Sequence, residues 1–193
     1  EASSPDLRSQ LTQLPGINVN GNGPVSGIIQ YRGLYSDRVR VSVDDVIMKG
    51  AGPNFMDSPL SHVIGNMSQR VTLYQAIAPV SAGAEALGGA IDISDIRPIL
   101  SGSSTFEYSG AFSASVFSNN GQSAVGLLNA VNNNTYFSLT ADIQDGDDIE
   151  SGDGREIANT YYNRNGVKLS AGYEEDAHKL SLFVNKRTTN KSG

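Results

Sequence analysis

Residues 52–62 read GPNFMDSPLSH, placing a thioether, a carboxylate and an imidazole (Met56, Asp57 and His62) within seven positions, with Asn54 and Phe55 just before them. Thioethers and imidazoles suit soft and borderline metal ions, and a neighbouring carboxylate can serve as a hard ligand or orient the imidazole. Gly, Pro, Asn and Ser punctuate the backbone, so the stretch reads as a loop. Its reactive side chains are either ordinary loop content or the working part of a loop shaped to hold something. A loop methionine often fills a gap beneath it. A single histidine beside an apolar neighbour, here Val63, is often a hydrogen-bonded structural residue.

A second constellation lies at 142–156, where Asp142, Asp145, Asp147, Asp148, Glu150, Asp153 and Glu156 surround one arginine, Arg155. Ile149 stands where an EF-hand needs a ligand, and the spacing to glutamate is wrong. Such a run is either a solvated loop or a weak collector of cations such as loosely bound Ca²⁺. Catalysis finds little support. The chain has two histidines and no cysteine, and no serine sits in a Gly-x-Ser-x-Gly elbow. With 14 basic against 20 acidic residues, it lacks the basic face that nucleic acid requires.

The elements that must position these residues fall into two grammars. Residues 1–100 are mixed. Ser4 and Pro5 suit a helix start, and Leu7, Leu11 and Leu14 share one helical face up to the Leu-Pro-Gly at 14–16. Alternating, β-branched segments follow at 17–19, 27–33, 38–46 and 70–77, with a short strand at 88–94. Gly33, Gly88 and Gly89 suit positive φ or close backbone approach. Arg32 and Arg38, among Asp37, Asp44 and Asp45, are placed for charge-assisted pairs, whereas Arg40 and Lys49 read as solvated surface charge.

After residue 100, Phe106, Tyr108, Phe112 and Val116 alternate with Thr105, Glu107, Ser109, Ser113 and Ser115. The device recurs at 135–143, 166–173 and 178–184, and less clearly at 123–131, making about five strands. Residues 185–193 read as a polar loop. No stretch reaches the roughly 18 apolar residues of a spanning helix. Apolar faces without charged relief opposite Ser, Thr, Asp and Lys are what a lipid-facing barrel needs, although a soluble meander also alternates.

Two longer stretches carry a resemblance. LTQLPGINVNGNGPVSGIIQYRGLYSDRVRVSVDDV (11–46) and RVTLYQAIAPVSAGAEALGGAIDI (70–93) are similar to the plug domain of TonB-dependent outer-membrane receptors. The plug motif falls on Ile29, Arg32, Gly33, Arg38, Val39 and Asp44, then on Gly88 and Gly89. The chain departs from it with Asp44-Asp45 where Asp-Gly is usual, and with Gln75-Ala76-Ile77 in place of Arg-Gly-Pro. The resemblance implies an α+β plug over 1–100, followed over 101–193 by the first antiparallel strands of a transmembrane β-barrel of about 22 strands. It also implies a TonB box before the first residue and further strands after the last.

In that family the loop after the Arg-Val strand faces substrate. MKGAGPNFMDSPLSH resembles the copper and metal-receptor subgroup, with Gly52 at the position of that loop's cysteine. The implied site is substrate-binding Asn54, Phe55, Met56, Asp57 and His62. Met48, Met56 and His62 are the candidate metal ligands, and Met67 is more remote. The implied function is import of a metal or metal chelate, copper or an iron siderophore complex, through the bacterial outer membrane with TonB. The competing reading is a soluble β-rich, Ca²⁺-dependent adhesion or carbohydrate-binding module.

Overall fold

The computed structural model describes residues 7–21, 27–55, 57–63, 69–75 and 88–192. They divide into two compact units, Glu1–Ile96 and Arg97–Gly193.

In the first unit, helix α1 (Leu7–Thr12) buries Leu7 and Leu11, as their spacing demands. Strands β1 (Ile17–Gly21), β2 (Gly27–Tyr31) and β3 (Leu34–Tyr35) form one antiparallel sheet. The second sheet has the order β5-β4-β7-β6, built from β4 (Arg40–Val43), β5 (Val46–Met48), β6 (Gln69–Tyr74) and β7 (Ala90–Asp95). Its central pair, β4 and β7, is parallel. The core joins α1 to both sheets through Leu11, Ile29, Tyr31, Val41, Ile91 and Ile93. Burying each such side chain contributes about 1.5–3 kcal/mol.

The single strand expected over 38–46 is instead a turn and a hairpin. Ser36–Arg38 is a 3-10 turn, and the chain reverses between β4 and β5 at Asp44-Asp45. Both aspartates have positive φ, 50° and 65°, the geometry of a two-residue type I′ hairpin loop. Asp44 also ties the hairpin to β7, accepting from the Asp95 N–H at 3.2 Å and donating its own N–H to the Ile93 carbonyl at 2.9 Å.

The glycine pair behaves as its sequence suggests. Gly89 has φ 105°, and a Cβ there would stand 2.5 Å from the Tyr74 carbonyl oxygen. A Cβ on Gly88 would meet the Arg38 carbonyl oxygen at 2.8 Å. The expected arginine–aspartate pairs do not form among the described residues. Arg32 and Arg38 are exposed, and the Arg32 guanidinium lies over the Tyr31 ring, 5.2 Å from its centroid. A planar cation gains from a ring face what a solvated carboxylate would give it only weakly.

The second unit is a five-stranded antiparallel sheet in the order β14-β13-β10-β9-β8, in which β8 is Glu107–Val116, β9 Gln122–Val131 and β10 Thr135–Gly146. A small hairpin, β11 (Ile149–Glu150) with β12 (Glu156–Ile157), sits in the long connection to β13 (Tyr162–Glu175). Strand β14 spans His178–Ser192. The polar tail expected to be loop is therefore mostly strand. Its ladder to β13 is made by backbone groups, and polar side chains do not interrupt it.

The faces of this sheet are inverted relative to a soluble protein. Thr140, Asp142, Gln144, Arg164 and Lys168 are buried, while Phe112, Leu128, Leu139, Leu169, Leu182 and Val184 are exposed. Glycine helps to pack the polar face. Asp142 and Arg187 stand opposite Gly166 from either side, and a Cβ on Gly166 would lie 2.9 Å from the Asp142 carboxylate. Its absence lets Asp142 Oδ1 approach Arg187 Nη1 to 3.8 Å across the intervening strand. Among the described residues no helix is long and apolar enough to cross a membrane, a test that does not bear on strands.

Candidate functional site

The GPNFMDSPLSH loop is pegged at both ends. Ala51 and Asp57 exchange backbone hydrogen bonds of 2.8 and 3.1 Å, closing a small ring of chain. Inside it, Gly52 turns at φ 75° and Pro53–Phe55 form one 3-10 turn that includes Asn54. Phe55 has φ 57°, a conformation that costs a bulky residue about 1–3 kcal/mol. The Phe55 ring lies against Gly50, where an added Cβ would meet it at 2.5 Å.

On the other side Ser58 is fully buried. Its hydroxyl donates to the Gly27 carbonyl at 2.7 Å and accepts the Gly27 N–H at 3.4 Å. A second 3-10 turn, Pro59–His62, follows, and Leu60 and Val63 enter the core. The loop is thus anchored by one serine and two apolar residues. Sequence inspection singled out neither Ser58 nor Leu60, because a serine between aspartate and proline looks like turn chemistry until its partner on β2 is known.

This anchoring brings together two of the expected site residues. His62 Nε2 lies 3.0 Å from Asp57 Oδ1, and both side chains are about half exposed, at 48% and 49%. An exposed pair of this kind adds little stability. Its consequence is orientation: with Nε2–H donated to the carboxylate, Nδ1 is left with its lone pair directed elsewhere, the arrangement common to metal-binding histidines. Met56 and Met67 lie outside the described residues.

Met48 is placed differently. It pairs with Val41 across the hairpin and lines a pocket of about 350 Å³ that includes Phe55, Ser58 and Pro59 but neither Asp57 nor His62. Arg40 and Lys49 line this pocket too. Arg40 is half-buried, not the solvated charge expected.

The acidic run resolves into separate local contacts. Asp148 Oδ1 accepts the Thr160 and Tyr161 N–H groups at 2.6 and 2.8 Å, Asp145 accepts from Asn163, and Asp147 accepts from Asn120. Asp153 takes the Ser151 hydroxyl and Arg155 Nε, which hold its carboxyl below the ordinary 3.8. Among the described residues no three His, Cys, Asp or Glu side chains gather so as to hold a metal ion.

Residues 1–90 match the family model of the TonB-dependent receptor plug domain. They are a TonB-dependent receptor plug. No curated protein sequence matches the chain, but solved structures share its fold almost from end to end. The copper transporter OprC superposes with a TM-score of 0.80 at 23% identity, over 95% of this chain and 28% of its own. The FrpB iron transporter from Neisseria meningitidis gives 0.75 at 20% identity, over 95% of this chain and 29% of its own. The siderophore receptor PirA from Acinetobacter baumannii gives 0.67 at 15% identity, over 100% of this chain and 31% of its own. The chain therefore spans under a third of the length of these proteins. The superpositions take in the second unit as well as the first.

Proposed function

We propose that this chain is the plug and opening barrel strands of an outer-membrane receptor that binds a metal ion or metal chelate at the outer face. Energy coupling through TonB then drives release of the cargo to the periplasm. The protein binds and transports; it catalyses no bond change. The observation that carries the reading is the Asp57–His62 pair on a loop closed by the Ala51–Asp57 bridge. It presents an oriented imidazole on the segment whose sequence also carries Met56, and thioether with imidazole is a ligand set for Cu(I). Asp57 acts through His62 and does not itself ligate. Met48, on the pocket wall, is left out of this pair. The names of the neighbouring structures, a copper transporter, an iron transporter and a siderophore receptor, support metal cargo in general.

The test is Cu(I) and ferric siderophore binding by the full-length receptor in detergent. Met56→Ala and His62→Ala are each expected to weaken Cu(I) binding at least tenfold, about 1.4 kcal/mol. Asp57→Asn should cost about 10-fold or more if it orients the imidazole. Cu(I) binding that ignores both Met56 and His62 would remove the loop from metal ligation. Saturable ferric siderophore binding without Cu(I) binding would assign the cargo to chelates.

A further inference from the structure

The open end of the hairpin β4–β5 contributes two cations, Arg40 and Lys49, to one pocket. Val41 and Met48 are the last pair of the ladder, and Arg40 and Lys49 are the residues next to them in the chain. Both line the 350 Å³ pocket beneath the GPNFMDSPLSH loop. No hydrogen bond or ion pair joins either side chain to a carboxylate among the described residues, although Asp37 lines the same pocket. Among the described residues, Arg40 Nε is buried with no hydrogen-bond partner. A buried donor without an acceptor costs about 1–3 kcal/mol, more when charged, and neighbouring like charges add to that cost. Both costs fall if an anion enters.

The shape of the pocket narrows the class of anion. Nε and a terminal nitrogen of a guanidinium form one edge of the donor fork that matches a carboxylate with two parallel hydrogen bonds. The remaining walls mix apolar Ile28, Ile47, Met48, Phe55 and Pro59 with the polar Ser36, Asp37 and Ser58. The volume lies near the lower end of the roughly 300–1,000 Å³ typical of small-molecule sites. A few convergent polar groups in an apolar pocket are the usual form of such a site.

We infer that this pocket binds the carboxylate of a small organic molecule with a compact apolar body, held by Arg40 with support from Lys49. The inference deepens the proposed function, on which it rests for calling the occupant cargo: the preferred substrate is a carboxylate-bearing chelate and not a bare ion. Arg40 and Lys49 receive the acid group, while the part of the loop that carries His62, outside the pocket, meets the metal.

The experiment is calorimetric titration of the full-length receptor in detergent with benzoate, which carries no metal, and with inorganic phosphate. Benzoate should bind saturably and outcompete phosphate. Arg40→Gln should weaken it at least tenfold, Lys49→Gln by about threefold, and Ile47→Trp, which fills the pocket from a half-exposed position, should abolish it. Arg40→Lys keeps the charge but loses the fork, and an intermediate loss there supports the bidentate contact even if Arg40→Gln fails to fold. Absence of saturable benzoate binding overturns the inference. So does phosphate binding as tight as benzoate, or benzoate binding unchanged in both Arg40→Lys and Ile47→Trp. Met56→Ala should leave benzoate binding intact. A wild-type receptor that binds benzoate but neither Cu(I) nor a ferric siderophore therefore sinks the metal reading alone, and one that binds metal cargo but not benzoate sinks the pocket alone.

Discussion

The two units are both β-rich, and they sort their residues in opposite ways. The plug places Leu11, Ile91 and Ile93 at its centre and exposes Arg32, Arg38 and Asp45. The barrel strands bury Asp142, Arg164 and Lys168, and expose Phe112 at 73%, Leu182 at 67% and Val184 at 70%. Alternation alone is common to both. What differs is the medium each face is built to meet: a plug sheet packs against its own core, whereas a barrel strand turns its apolar side to lipid and its polar side to the lumen.

The largest expected effect breaks that contrast directly. Leu182→Arg should destabilise the receptor folded in bilayers by about 2–4 kcal/mol if Leu182 lies near the bilayer midplane. Val46→Arg, on the exposed plug hairpin, should stay within about 0.5 kcal/mol. Denaturant titration of receptor refolded into liposomes measures both, and equal costs would mean that water and not lipid meets the outer face of β14.

A smaller effect concerns the plug hairpin. Asp45 holds φ 65°, where an L-residue pays about 1–2 kcal/mol that glycine does not. Asp45→Gly should therefore stabilise the plug by about 1 kcal/mol, read as slower amide exchange in β4 and β5. No gain would show that the Asp45 side chain offsets its own backbone strain.

The smallest effect is confined to the small β11–β12 hairpin of the second unit. The Ser151 hydroxyl and then Arg155 hold the Asp153 carboxyl below its ordinary value of 3.8. A lowered carboxylate pKa contributes order above the unfolded value, and that contribution is lost as pH falls through the lowered value. Residues 151–155 should lose exchange protection below about pH 4 while the strands keep theirs. Ser151→Ala should move that midpoint upward; an unmoved midpoint would place the control elsewhere.

Much of the fold was legible in the residues. Leu7 and Leu11 at helical spacing, the alternating segments after residue 104, and the Gly88-Gly89 pair each led to the element found. The misreadings have local causes. Residues 38–46 looked like one strand because Asp44-Asp45 lacks the glycine that usually marks a type I′ turn. Residues 185–192 looked like loop because a polar run hides a ladder that depends only on the partner strand. For the site, the sequence showed that Met56, Asp57 and His62 share a loop, and no more.

By itself, the sequence determined the order of plug and strands, the side of each strand that is apolar, and the kinds of ligand the loop can offer. These depend on local propensity and on a period of two or 3.6, which a chain carries without knowing its neighbours. Tertiary structure alone decided that Ser58 is clamped to Gly27, that Asp57 takes His62 Nε2, and that Gly166 lets Asp142 reach Arg187. It also decided that Arg40 and Lys49 line one pocket. Each of these is a contact between residues on separate segments of chain, and only strand pairing and core packing fix which side chains then meet.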